Sequence, residues 1–61
     1  METYYEKYQM TSPYECIVIV KYTNGQAQYY TEDGISLDVN LAWSGWATER
    51  NIPTPSWDQN Q

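Results

Sequence analysis

The sequence predicts an α+β fold: an antiparallel β-hairpin, one short helix and a short third strand, in a homodimer that shares one sheet. Three observations predict it: an Asn24-Gly25 pair between two β-rich runs, a capping pattern from Ser36 to Gly45, and apolar residues on both faces of hairpin and helix. With 61 residues the chain is one domain at most. Domains this short are marginally stable without disulfides, metals or partners.

The hairpin is the most strongly indicated element. The runs Tyr14–Tyr22 and Gln26–Glu32 are rich in β-branched and aromatic residues, and Asn24-Gly25 separates them. Asn-Gly favours a type I′ turn, because both central residues of that turn need positive φ. The register that follows pairs Thr23 with Gln26, Tyr22 with Ala27, Val20 with Tyr29, and Ile19 with Tyr30.

Both faces of the first strand carry apolar residues. Val18 and Val20 lie on one face, and Ile17 and Ile19 lie on the other. A strand that is buried on one face only alternates more cleanly. We therefore expect the Ile17–Ile19 face to be covered by a terminal arm or by another molecule.

A capped helix is predicted after the hairpin. Ser36 is a good N-cap, Asp38 lies in the first turn where the helix dipole favours negative charge, and Gly45 suits the position after the helix end. The helix Leu37–Ser44 would carry two apolar stripes, whereas covering one small sheet needs only one. The second stripe favours a homodimer. The stripes are Leu37 with Leu41, and Val39 with Ala42, Trp43 and Trp46.

The chain divides into three parts. Residues 1–13 form an N-terminal arm that is ordered only if its tyrosines pack on something, 14–52 form the single α+β domain, and 53–61 form a Pro-containing C-terminal tail in which Trp57 can dock. Within the domain, 46–52 is the candidate third strand, with Trp46, Thr48 and Arg50 on one side.

The charge balance excludes one class of partner. Eight acidic residues against three basic ones leave a net charge of −5, whereas nucleic-acid binding needs Lys and Arg. The surface would instead attract basic proteins. The N-terminus lacks the pattern of a signal peptide and the longest apolar run is too short to span a membrane, so we expect a cytoplasmic protein.

The residues for common chemistries are missing. The chain has no histidine and a single cysteine, which excludes a Cys/His zinc site, an internal disulfide and the usual nucleophile–base pairs. Glu32 and Asp33 lack the ligand spacing of a calcium loop. We expect no enzymatic activity, no cofactor and no metal.

Carboxylates beside apolar surface suggest a DNA mimic. Glu32, Asp33 and Asp38 surround the predicted strand–helix junction, where they are also compatible with an ordinary solvated turn. A protein with this combination can occupy the DNA groove of a basic enzyme. Its carboxylates replace phosphates, and an apolar pocket takes the side chain that a base-flipping enzyme inserts into the duplex.

This pattern resembles the small uracil-DNA glycosylase inhibitors of tailed Bacillus phages. The resemblance covers about half the chain, from Tyr14 to Gly45. It departs from the family pattern at Thr31, where the family carries Glu after the Tyr-Tyr pair, and in the absence of Phe. The matching motifs are Ile17-Val-Ile-Val, Asn24-Gly25, Tyr29-Tyr30, and Gly34-Ile35-Ser36-Leu37 with the helix that follows.

The resemblance implies a mechanism and a partner. Two subunits would enclose an apolar cavity that captures the DNA-intercalating side chain of the host glycosylase, in the host cell cytoplasm. The alternatives are an inhibitor of another host nucleic-acid-binding enzyme, such as RNA polymerase or a CRISPR nuclease, and a non-inhibitory small assembly or interaction protein. The implied partner-binding residues are Leu37, Leu41 and Trp43 for the apolar part and Glu32, Asp33 and Asp38 for the charge.

Overall fold

The computed structural model describes residues 2–38 and 42–59, and these form one antiparallel sheet of five strands in the order β4-β3-β2-β1-β5. A short 3-10 helix, Ser56–Asp58, follows the last strand. No helix in the described residues is long and apolar enough to cross a membrane. The strands are β1 (Thr3–Ser12), β2 (Cys16–Thr23), β3 (Gln26–Thr31), β4 (Ser36–Leu37) and β5 (Ser44–Ile52).

The predicted hairpin is confirmed as β2 and β3, with the predicted register. Val20 lies opposite Tyr29, and Ile19 lies opposite Tyr30. Asn24 and Gly25 both have positive φ, at 57° and 83°, as a type I′ turn requires. The Asn24-Gly25 pair was sufficient to predict the hairpin, because the turn and the two strands that it joins are adjacent in sequence.

The predicted α+β fold class is wrong, because the described residues contain no α-helix where one was expected. Ser36 and Leu37 form β4 and pair with Tyr30 and Tyr29, and Ser44 begins β5. The part of the predicted helix at 39–41 lies outside the described residues. An isolated helix of this length is marginal in water, so pairing with the exposed edge of β3 outweighs the capping signal.

The N-terminal stretch treated as an arm contains β1, which lies between β2 and β5. We expected this stretch to be ordered only if its tyrosines packed, and they do pack. Tyr5 is buried, and Tyr4 stacks on Tyr22 with ring centroids 4.8 Å apart. β1 pairs with β2, which follows after a three-residue connection, and with β5, from a distant part of the chain.

The third strand predicted at 46–52 is present and is longer, as β5. Gly45, expected to end a helix, lies opposite Met10, and a Cβ there would come within 2.5 Å of the Gln9 carbonyl oxygen. Register shifts along the pairing with β1 also change which side chains share a face. Trp46 lies beside Gln9, whereas Arg50 reaches Glu6 on the opposite face.

The core lies on one face of the sheet, here called the core face. Met10, Val18 and Val20 are its fully buried centre. The Trp43 ring makes edge contacts with Tyr8 on β1 and Tyr29 on β3, with centroids 5.5 and 5.6 Å apart. Trp43 thus spans β2. Other side chains packed on this centre are those of Cys16, Tyr22 and Leu37.

The C-terminal segment packs on the opposite face, here called the tail face. Tyr5, Ile19, Lys21 and Tyr30 lie on it, and Ile19 is only 5% exposed. Asp58 accepts a hydrogen bond from the Tyr5 hydroxyl and pairs with the Lys21 ammonium at 2.9 Å. We expected the Ile17–Ile19 face to be covered by a terminal arm or by another molecule. In the structure, the C-terminal segment covers it.

Candidate acidic partner-binding surface

Pairing leaves the surface charge of this protein almost entirely negative. Its three cationic side chains are each paired with a carboxylate: Lys7 with Glu49 at 3.5 Å, Lys21 with Asp58 at 2.9 Å and Arg50 with Glu6 at 3.2 Å. All charged side chains lie within the described residues, so no Lys or Arg side chain remains for the other five carboxylates. These are Glu2, Glu15, Glu32, Asp33 and Asp38, and all five are exposed.

Two of the predicted charge-bearing residues lie in the turn between β3 and β4. Thr31 organises this turn, because its side-chain oxygen accepts from the backbone N–H groups of Asp33 at 3.2 Å and Ile35 at 3.1 Å. The N–H of Gly34 donates to the Thr31 carbonyl at 3.0 Å. Glu32 and Asp33 are therefore presented by a hydrogen-bonded turn rather than by a helix N-terminus.

The third predicted acid, Asp38, follows β4 and lies along the edge of the sheet. It borders a shallow depression formed with Gln28 and Leu37. Asp38 therefore follows a strand, where the sequence predicted the first turn of a helix.

Glu15 is a neighbour of this turn that was not among the predicted site residues. The β1–β2 connection and the β3–β4 turn lie at the same end of the sheet, because Val18 near the start of β2 pairs with Thr31 at the end of β3. The predicted hairpin register, extended by two residues, contains this signal. Glu15, Glu32 and Asp33 are here called the acidic end.

The tail holds the acidic end in place. The Trp57 indole N–H donates to the Glu32 carbonyl oxygen at 3.1 Å, and its ring packs on Tyr30 with centroids 5.0 Å apart. Gly34 has φ +91° and leaves room for this ring, whose atoms would lie 2.7 Å from a Cβ at that position. Tail and turn thus form one packed unit.

Two of the three apolar residues predicted to meet a partner do not lie on a free surface. Leu37 and Trp43 are half-buried and pack on the protein's own core, and Leu41 lies outside the described residues. The exposed large apolar side chains include Ile35, at 64% exposed, and Trp46, at 56%. Ile35 belongs to the same turn as Glu32 and Asp33, so the acidic end does carry an apolar group.

An open cleft of about 340 Å³ lies between the tail and the tail face, next to the acidic end. Its lining is apolar except for three charged side chains, those of Lys7, Glu32 and Glu49. The apolar lining residues are Ile19, Ile52, Pro53, Pro55 and Trp57. A larger depression of about 650 Å³, lined by Glu2, Tyr4 and Glu6 among others, lies at the opposite end of the sheet.

Titration behaviour follows the buried contacts. The hydrogen bonds from Tyr5 and from Lys21 hold the pKa of Asp58 below its ordinary value. The bond to Asp58 raises the pKa of Lys21, and burial, followed by the bond to Asp58, raises that of Tyr5. On the core face, burial and the contact with Tyr8 raise the pKa of Tyr22 well above the ordinary tyrosine value.

Comparison of the chain with protein-family models, with curated proteins and with solved structures found no match. Within the described residues, no three metal-ligating side chains group together as an ion site would require. The resemblance to glycosylase inhibitors therefore rests on the short sequence motifs, and the case for a binding surface rests on the charge and the acidic end.

Proposed function

We propose that this chain is a DNA-mimic inhibitor of a basic DNA-binding enzyme, with host uracil-DNA glycosylase as its target. The observation that carries the proposal is that every cationic side chain is paired within the protein while five exposed carboxylates are not. Such a surface attracts a positively charged DNA groove and repels DNA itself.

The acidic end supplies the part that would enter the groove. Glu15, Glu32 and Asp33 extend from two neighbouring connections, and Asp38 extends the negative charge along the sheet edge. Adjacent connections in a sheet are separated by roughly 5 to 10 Å, which is comparable with the spacing of phosphates along a DNA strand. Carboxylates at such spacing can replace several phosphates at once.

Exposed Ile35 supplies the apolar contact in this proposal. It lies within the turn that carries Glu32 and Asp33, where the enzyme's DNA-intercalating side chain would approach. Leu37 and Trp43, which the resemblance implied for this contact, instead pack on the core. Enclosure of the intercalating side chain between two subunits requires the homodimer, which the sequence favoured.

The proposal describes a protein that acts by binding, without catalysis, in the cytoplasm of the host cell. Its test is capture of purified uracil-DNA glycosylase on the immobilised chain at low ionic strength. Asp33→Asn and Glu2→Gln form a matched pair, because each removes one exposed carboxylate, one at the acidic end and one at the opposite end. We expect Asp33→Asn to weaken capture more than Glu2→Gln; no capture at low salt would reject this target.

A further inference from the structure

We propose that the cleft between the tail and the tail face accepts an arginine side chain of the partner protein. This inference deepens the proposed function, because it names the chemical group through which a basic enzyme would be recognised beside the acidic end. Diffuse negative charge attracts any basic surface, whereas a cleft of fixed shape selects one side chain.

The cleft is already formed in the free protein. Pro53 and Pro55 line it, and proline has a fixed φ, so this part of the lining loses little freedom when a ligand enters. Trp57 also lines the cleft and is held by two contacts, with the Tyr30 ring and with the Glu32 carbonyl oxygen. Ile19, another lining residue, is nearly buried.

The lining fits a side chain with an apolar stem and a cationic end. Ile19, Ile52 and the two prolines offer apolar contact along the length of the cleft. An arginine or lysine side chain buries its methylene groups on such surfaces and keeps its charge near the rim. A purely aliphatic side chain would contact the apolar lining but would not pair with the charged groups at the rim.

The rim has an excess of negative charge. Lys7 is its single cationic side chain and pairs with Glu49 at 3.5 Å, while Glu32 has no cation among the described residues. An incoming cation would therefore meet Glu32 as a free partner and Lys7 as a largely neutralised neighbour. An acidic side chain would meet repulsion from Glu32.

Arginine fits better than lysine. Its planar guanidinium stacks on an indole face and donates two parallel hydrogen bonds to a carboxylate, whereas an ammonium does neither as well. Trp57 and Glu32 both line the cleft, and the Trp57 indole N–H donates to the Glu32 carbonyl oxygen, so the indole and this residue lie close together. Arginine is also enriched in the protein surfaces that bind DNA phosphates, which are the surfaces a DNA mimic must engage.

The test is an NMR titration with acetyl-Gly-Arg-Gly-amide, in which the indole N–H signal of Trp57 reports on the cleft. Acetyl-Gly-norleucine-Gly-amide is the control peptide, because it retains the stem and lacks the cation. Glu32→Gln and Asp33→Asn are the matched variants: both belong to one turn and remove one charge, and only Glu32 lines the cleft. Both side chains are exposed, so both variants should fold, which thermal unfolding verifies.

We expect a saturable shift of the Trp57 signal with the arginine peptide, about fivefold weaker binding in Glu32→Gln, and less than about twofold weakening in Asp33→Asn. An equal response to the norleucine peptide, or equal weakening by the two variants, would overturn the inference. Glycosylase capture without arginine-peptide binding would reject the arginine site and leave the proposed DNA mimicry standing. Arginine-peptide binding without glycosylase capture would reject the glycosylase as target and leave the arginine site standing.

Discussion

The Trp57 ring packs against Gly34 so closely that a Cβ added to Gly34 would lie 2.7 Å from two of its ring carbons. Gly34 also has φ +91°, where L-residues other than glycine are strained. Two independent requirements for glycine thus coincide at the turn that carries Glu32 and Asp33. This contact joins the C-terminal tail to the acidic end.

Gly34→Ala should destabilise the protein more than Gly25→Ala. Gly25 also has positive φ, at 83°, but a Cβ there would meet nothing within 4 Å. We expect about 1 kcal/mol for Gly25→Ala from backbone strain and about 2 to 4 kcal/mol for Gly34→Ala, in which the clash with Trp57 is added. Urea unfolding measures both, and equal losses would contradict the packing of the tail on the turn.

Asp58→Asn should cost about 1 to 2 kcal/mol near neutral pH, because it weakens the bonds to Lys21 and Tyr5. The folded-state pKa of Asp58 lies below its unfolded value of about 3.9, so its contribution is complete above that pH and is lost as the pH falls through the folded pKa. The difference between parent and variant should shrink below about pH 4. Urea unfolding at a series of pH values tests this, and a constant difference would disagree with it.

Alkaline pH should destabilise the protein through Tyr5 and Tyr22. Burial raises the folded-state pKa of both above their unfolded value of about 10, so they contribute stability below that pH and lose it as the pH rises through the folded pKa. Absorbance of tyrosinate should show these two ionising above the ordinary range. In Tyr22→Phe, the part of the absorbance change that occurs above the ordinary tyrosine range should be smaller. If that part is unchanged, Tyr22 does not contribute to it.

Trp43→Ala should lower the free energy of unfolding by about 3 kcal/mol, because its ring contacts Tyr8 and Tyr29 over the core. Trp46→Ala is the matched control, since Trp46 is 56% exposed and should change stability by less than about 0.5 kcal/mol. Thermal or urea unfolding compares the two. Similar losses would mean that Trp43 is available to a partner rather than committed to the core.

The β2–β3 hairpin was predictable because it depends on neighbours in sequence and has a strong turn signal. Asn24-Gly25 specified the turn, and the turn specified the pairing of Val20 with Tyr29. The helix expected from Ser36 was wrong because the competing interaction, pairing with the edge of β3, is stronger than a capping preference. A window of eight residues does not separate the two outcomes by periodicity alone.

The candidate site was predictable in its charge and not in its arrangement. Glu32, Asp33 and Asp38 are exposed, as a charged partner-binding surface needs, and composition alone indicated the acidic excess. Docking of Trp57 was expected, but its site was not: the ring packs against Gly34 and its N–H donates to the Glu32 carbonyl oxygen. Such long-range packing has no signature in a single sequence.

Titration of uracil-DNA glycosylase activity with this protein tests the central claim most directly. The assay follows uracil release from DNA at low ionic strength as the protein is added, and is repeated at higher salt. The account predicts complete inhibition near an equimolar ratio, with weaker inhibition at high salt because exposed carboxylates make the contact. Full enzyme activity at large molar excess and low salt would contradict it.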